Sequence, residues 1–332
     1  MRDRIVLLFV VLEVALCLLP LRMSAVCAPS KVLVVGGGPL AVLTAKTLSS
    51  RGYETLLVTS EKGLSEELLS GPEESKVRLV DPALDEDVAV FEASVANCDA
   101  LCVAYDSPRT LPAKLLDVVL PETSRVKRIA LVSRHLNGEG QNPLVVASKA
   151  AANREVWALT NELKEAFSTF ETLVRDKAEA RGADIVTIRV GTLKGGGPGT
   201  SETQEEWKNA KIDAETLSRA YYAKCIVKDL VNWQLLFDCG TQGLRLTPGD
   251  SAPGPGWRAV FTSTSPEAEA GDSGRVATAQ AIARALAHPN AGGKSFGINT
   301  ELSRLPPSNS QWDTLLNTVL NDPKADESKK AD

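Results

Sequence analysis

Six consecutive residues, Gly36-Gly37-Gly38-Pro39-Leu40-Ala41, carry the strongest chemical signal in this chain. Gly36, Gly38 and Ala41 spell G-x-G-x-x-A. In that spacing the first glycine permits a tight turn and the second lets backbone approach a diphosphate. The small third residue lets a helix pack close to a strand. The amides and dipole at the start of a helix then favour an anion. The chemistry on offer is the holding of a dinucleotide by its diphosphate. A second group, Val58-Thr59-Ser60-Glu61-Lys62, falls where ribose selection is made. An acid there suits the ribose hydroxyls of NAD, and a cation nearby suits the 2′-phosphate of NADP. Thr59 and Ser60 serve either form, Lys62 offers a charge to a 2′-phosphate and Glu61 opposes one. The reading leans to NADP, with NAD open.

Such a turn works only between a strand and a helix. The run Val32–Val35 is apolar and mostly β-branched, as a buried parallel strand requires. Leu40–Arg51 has a helical pattern and closes at Arg51-Gly52. Strands are predicted at Thr55–Thr59, Val77–Val80, Ala100–Ala104, Arg128–Ser133 and Ile185–Val190. Helices are predicted between them at Ser65–Leu69, Asp85–Ala96, Pro112–Leu120, Val145–Phe170 and Glu171–Arg181, with Gly182 as a stop. Strand–helix alternation with short loops predicts an α/β fold, a doubly wound parallel sheet of Rossmann type. Beyond Val190 the pattern loosens. Gly195–Gly199 is a flexible loop and Glu202–Lys228 is polar and helical. Leu230–Phe237 reads as strand or short helix and Ala259–Thr264 as a strand. Arg275–Ala287 has helical spacing and Lys294–Ile298 completes the pattern as a strand. The expected organisation is a domain over 31–300, with a small C-terminal substrate or partner lobe mainly over 195–260. A charged, disordered tail is expected over 322–332.

The chain has 332 residues, 43% of them hydrophobic, enough for a sizeable core, and a formal net charge of −5. An acidic chain without a basic stripe argues against a nucleic-acid surface. Residues 1–28 read as an address: Arg2 and Arg4, an apolar stretch from Ile5 to Leu21, then small residues in Ser24-Ala-Val-Cys-Ala28. Charged, then apolar, then small is the order of a secretory signal. Glu13 and Pro20 make the same stretch a poor membrane span, since a charge at the bilayer centre costs about 2.5–3.5 kcal/mol. Entry into the secretory pathway is therefore expected, with no stable span once the leader is removed. The segment Ser24–Pro29 is also loosely similar to the cleavage motif of plastid precursors in algae with secondary plastids, without the aromatic residue usual there. Of six cysteines, Cys17 and Cys27 lie in or beside the leader. Cys98 and Cys102 flank a strand-like run with no histidine at ligand spacing, so no metal site is expected. They read as small buried apolar residues.

The order of these pieces resembles the short-chain dehydrogenase/reductase superfamily, specifically its atypical, NmrA-like branch, over most of residues 31–300. The marks are Val34-Val-Gly-Gly-Gly-Pro-Leu-Ala41, Val80-Asp81, Cys98–Ala104, Val126–Ser133, Ala147-Ser-Lys-Ala-Ala151, Thr187–Gly191, Gly274–Ala283 and Ala291–Phe296. The resemblance implies roles for particular residues. Asp81, at a strand end, would accept a hydrogen bond from the adenine amino group. Ala104 and Tyr105 would lie where the chain passes the cofactor's ribose. Ser133 would be a polar substrate contact. Lys149 would bind the nicotinamide ribose and, in the family, lowers the pKa of a tyrosine four residues earlier. Here that position is Val145. One helical turn separates the two, so they share a face, but valine has no proton to give, and reduction of a carbonyl by general acid catalysis needs one close to the substrate oxygen. Ser133 is a poor acid. Histidine is the side-chain type suited to proton transfer near neutral pH, and His135 is the substitute nearest in sequence. Trp207, Tyr222 and Trp233 are candidates for lining an apolar pocket at the nicotinamide end, or for core packing.

The function these features imply is a nicotinamide-dinucleotide binder without Tyr-dependent catalysis, acting as a redox-responsive regulator or assembly factor with a protein partner. The alternative is an NAD(P)H-dependent reductase or isomerase that uses a different acid or none.

Overall fold

In the computed structural model of the chain, residues 30–69, 77–106, 113–135, 147, 161–196, 217–218, 224, 243–251, 271–301 and 306–327 are described. The apolar runs become strands with helices between them. In chain order these are β1 (Lys31–Val35), α1 (Pro39–Ser50), β2 (Glu54–Val58), α2 (Lys62–Leu69), β3 (Arg78–Val80) and α3 (Asp85–Asn97). There follow β4 (Ala100–Val103), α4 (Ala113–Val119), β5 (Arg128–Arg134), α5 (Asn161–Glu179), β6 (Asp184–Val190) and β7 (Thr192–Lys194). The last are β8 (Gly243–Pro248), β9 (Asp272–Gly274), α6 (Arg275–Ala287), β10 (Lys294–Glu301) and α7 (Asn309–Leu320).

Eight strands form one sheet in the order β3-β2-β1-β4-β5-β6-β10-β8, and β7 pairs with β9 in a separate two-stranded ladder. In the large sheet every neighbouring pair is parallel except β10 and β8, which are antiparallel. The chain moves outward from β1 to β3 and then crosses back to β4 on the other side of β1. That reversal is the topological switch of a doubly wound fold, and ligands bind in the crevice outside the carboxyl ends of the strands there. Register sharpens the place: Val35 lies opposite both Val58 and Val103. The loops after β1, β2 and β4 therefore leave the sheet at one level.

Alternating side chains feed two cores. Val32, Val34, Cys102, Ala130 and Val132 pack with α1 and α6. Leu33, Val35, Leu101, Val103, Ile129 and Leu131 pack with α3, α4 and α5. Every residue of α1 from Leu40 to Leu48 is buried, which suits a helix clasped by other elements rather than lying on a surface. Arg128, fully buried at the start of β5, donates to Leu286 O and His288 O at 3.2 and 2.6 Å. Its charge sits at the carbonyl end of α6, where a cation is favoured.

Several expectations need correction. No break separates helices at residues 170 and 171: α5 runs through both. Phe167, Phe170 and Val174 supply one buried stripe across that point. Strand β8, the β7–β9 ladder and α7 were not foreseen. The tail read as disordered from 322 is packed as far as Glu327. Pro323–Ala325 forms a 3-10 turn, and Glu327 is buried against Arg189. A charged sequence looks solvated until its partner, here 138 residues earlier, is known. The segment 1–28, most of 195–260, and Trp207, Tyr222 and Trp233 lie outside the described residues. Among the described residues no helix is long and apolar enough to cross a membrane.

Candidate functional site

The glycine-rich turn is fixed by close backbone approach. Gly36 has φ +146°, and a Cβ added there would lie 1.7 Å from the carbonyl oxygen of Ala104. Its N–H donates to Val58 O at 3.1 Å, while Ala104 N–H donates to Val35 O at 3.0 Å. The turn is wedged between β2 and β4, and no side chain fits. Gly38, with φ +83°, precedes α1. Pro39 opens that helix without an N–H, as the first turn tolerates. Leu40 therefore presents an early helix amide with no carbonyl partner inside the helix. Ala41 is fully buried where α1 meets the sheet.

That amide already holds an oxyanion. Asp106, three residues beyond β4, accepts from Leu40 N–H through Oδ2 at 2.6 Å. Its other oxygen, Oδ1, accepts from Arg275 Nε at 2.5 Å. Arg275 opens α6 and also donates to Gly195 O at 3.0 Å. Arg134, at the end of β5, donates to Asp106 O at 2.5 Å and to Gly191 O. A Cβ on Gly38 would sit 3.1 Å from Asp106 Oδ2. The mouth of this turn is thus crossed by a carboxylate–guanidinium pair whose side chains are 15% and 8% exposed. Neither residue carries a local signal of this pairing in the sequence. Asp106 was visible as an acid just after a strand, but nothing local joins it to a residue 169 positions away.

The residues expected around the ribose divide in two. The Thr59 hydroxyl accepts from Glu61 N–H at 3.0 Å and is buried, so it shapes the loop after β2; Ser60 is exposed. Glu61 lies over the glycine turn, its Oε2 2.5 Å from where a Gly37 Cβ would be. Lys62 turns the other way and bonds Asp87 at 2.9 Å and Glu86 at 3.4 Å. Asp87 is held below the usual carboxylate range by the Asp81 N–H and then by Lys62. Asp81 directly follows β3, and its Oδ1 accepts from Ala83 N–H at 3.0 Å in a local turn.

Three residues expected to meet ligand are otherwise engaged. Ala104 is buried and spends its carbonyl face against Gly36. Tyr105 continues the inward alternation of Leu101 and Val103. Its ring stacks on Phe167 at 6.0 Å and meets Phe170 edge-on at 5.9 Å, and burial pushes its phenol pKa up. Its side chain faces the core rather than a ribose. Ser133 is fully buried and its hydroxyl donates to Glu171, so it belongs to an internal polar cluster rather than to a substrate pocket. Arg189 is the centre of that cluster. It donates to Glu171 Oε1 and Oε2 at 2.8 and 3.0 Å, to Glu327 Oε1 at 3.0 Å and to Ser295 Oγ at 3.2 Å. Burial works against its charge, but Glu171 and Glu327 outweigh burial and hold its pKa up. His135 has Nδ1 3.1 Å from Asp250 Oδ1, with Nε2 buried and without a hydrogen-bond partner among the described residues. Lys149 and Val145 lie outside the described residues. Cys98 and Cys102 are buried free thiols, and burial pushes the Cys98 thiol up to about 11.

The backbone of this mouth suits a diphosphate: three glycines, an early helix amide with no carbonyl partner inside the helix and a switch-point location. Its side chains suit a diphosphate only if Asp106 moves, because two anions cannot share one amide and one arginine.

No protein-family model matches the chain, and no curated protein matches it. Solved structures with some likeness include a short-chain dehydrogenase/reductase from Veillonella parvula DSM 2008, at 14% identity and a TM-score of 0.45, covering 85% of this chain and 99% of that one. A second structure of a short-chain dehydrogenase/reductase from that organism, in complex with NADP, has 14% identity and a TM-score of 0.43, covering 86% and 98%. A putative NAD-dependent epimerase/dehydratase from Bacillus halodurans has 15% identity and a TM-score of 0.44, covering 82% and 94%. The strand order given above, rather than these likenesses, identifies the fold.

Proposed function

We propose that this chain binds a nicotinamide dinucleotide across the carboxyl ends of β1, β2 and β4, and that binding serves regulation or assembly rather than Tyr-dependent reduction. The observation that carries the first half is the Leu40 amide. It is placed by a side-chain-free turn at the switch point, and it binds an oxyanion at 2.6 Å. The second half rests on Val145, which stands where a phenol would precede Lys149. NADP and NAD are both within this reading. Lys62 would have to leave Asp87 to meet a 2′-phosphate, whereas Glu61 already borders the turn. Residues 1–28 act in this reading as a secretory leader.

Titration of the full-length chain with NADPH and with NADH, followed by nicotinamide fluorescence, tests the proposal. Saturable binding of one of them, with no cofactor oxidation across a panel of quinones, enones and aldehydes, is the expected result. Absence of binding at millimolar cofactor removes it.

One observation favours the second reading, a reductase or isomerase with another acid. His135 is oriented through Nδ1 by Asp250, as a proton-transferring imidazole is in other settings. Turnover in the same panel that is lost in His135→Ala would favour that reading over the first.

A further inference from the structure

Asp106 and Arg275 sit where the proposed cofactor's charge would have to go. The inference here rests on the dinucleotide reading and concerns the regulation of the same site. We propose that Asp106 is a built-in competitor for the diphosphate. In the free protein its carboxylate occupies the anion position at the start of α1. A dinucleotide enters by exchange: Asp106 gives up the Leu40 amide and Arg275, and the diphosphate takes both.

Four observations carry this. Asp106 Oδ2 lies on Leu40 N–H at 2.6 Å, the amide that Pro39 leaves as an early donor of α1. The same oxygen lies 3.1 Å from where a Gly38 Cβ would be, so it is inside the turn and not beside it. Oδ1 is held by Arg275 Nε at 2.5 Å. Arg275 is anchored in turn on Gly195 O at 3.0 Å, which keeps its guanidinium at the mouth. A carboxylate and a phosphate use the same features of a helix start, namely unpaired amides and the positive end of the dipole. They also use the same arginine fork. The two cannot be accommodated together, since like charges in one site raise each other's energy. The backbone of Asp106 is fixed separately by Arg134, which donates to its carbonyl at 2.5 Å. Exchange therefore needs rotation of one short side chain and no rearrangement of the sheet.

The consequence is an affinity set below what the cradle itself can deliver, and a coupling between α1, the loop after β4 and the start of α6. Emptying the Asp106 position releases Arg275 Nε for the cofactor. Any partner that draws Asp106 aside raises cofactor affinity, and by linkage the cofactor raises affinity for that partner.

The experiment is calorimetric titration of the full-length wild type, Asp106→Asn and Asp106→Ala with NADH, NADPH, ADP and adenosine. Asp106→Asn retains an acceptor for the Leu40 amide, and therefore the helix cap, while removing the charge. Expected is a gain of about ten- to hundredfold for the phosphate-bearing ligands in both variants, the range one neighbouring charge commonly commands, with adenosine unchanged. Arg275→Gln should weaken NADH binding in the Asp106→Asn background. Equal affinity of wild type and Asp106→Asn for NADH, with wild type binding, overturns the exchange and leaves the dinucleotide reading standing. A gain for adenosine equal to that for ADP also overturns it, since that would report a loosened mouth. If no chain binds any of the four ligands, the dinucleotide reading falls and the exchange falls with it.

Discussion

Gly36 and Gly52 differ in what surrounds them although both have positive φ. At Gly36 an added methyl group would meet the Ala104 carbonyl at 1.7 Å, whereas nothing lies within 4 Å of one at Gly52. Gly52 follows the end of α1, with its N–H on Ser49 O at 3.0 Å. Gly52→Ala should therefore cost only its backbone conformation, about 1 kcal/mol. Gly36→Ala must push β4 away from β1 as well and should cost at least about 3 kcal/mol. Urea melts of the two variants beside wild type measure the difference. The glycine motif, legible from composition and spacing, thus has a physical ground here: a backbone carbonyl occupies the space a side chain would need. The acid that fills its mouth was not legible, because Asp106 gains its meaning only beside Leu40 and Arg275.

At the scale of elements, the central strands were readable because a parallel strand buried on both faces is a short unbroken apolar run. The missed helix α7 also carried a signal. Ser308 and Gln311 form a capping box: Gln311 Oε1 accepts from Ser308 N–H at 2.8 Å and Ser308 Oγ accepts from Gln311 N–H at 3.4 Å. A serine followed three residues later by glutamine, before an apolar stripe, is a start signal in sequence. The stripe is Trp312, Leu316, Val319 and Leu320. Trp312 is fully buried, donates to Gln280 Oε1 at 3.0 Å and carries the Arg284 guanidinium 5.1 Å above its ring. Trp312 thus ties α7 to α6, while the helix itself is seated on β8 and β10. Ser308→Ala should lower stability by about 1 kcal/mol, and Trp312→Ala by about 3–5 kcal/mol. Chemical denaturation followed by circular dichroism reads both, and a smaller loss for Trp312→Ala than for Ser308→Ala would contradict this seating.

Across the whole molecule, Arg189 joins parts of the chain that are distant in sequence. It binds α5 through Glu171, β10 through Ser295 and the chain beyond α7 through Glu327, which also accepts from Arg175. The side chains of Arg189 and Glu327 are each 7% exposed. Removing one partner of a buried pair leaves the other charge under-compensated, which costs about 3 kcal/mol. Glu327→Ala should show a loss of that size. Truncation after Asp322 should show at least as much, in melts of chains that still fold. A truncated chain as stable as wild type would mean that the tail contributes nothing to the core.

The amino-acid sequence by itself determined the central layers: which runs form β1 to β6 and β10, where the glycine turn falls and that Val145 cannot donate a proton. Those are local properties, set by side-chain period, by backbone freedom at glycine and by the chemistry of a single side chain. Tertiary structure alone decided which charges meet. Asp106 with Arg275, Arg189 with Glu327 and His135 with Asp250 are separated by 169, 138 and 115 positions. An ion pair has no periodicity and no propensity. Its existence depends on the sheet bringing two strand ends or helix starts within a few ångströms, and that is a property of the assembled fold.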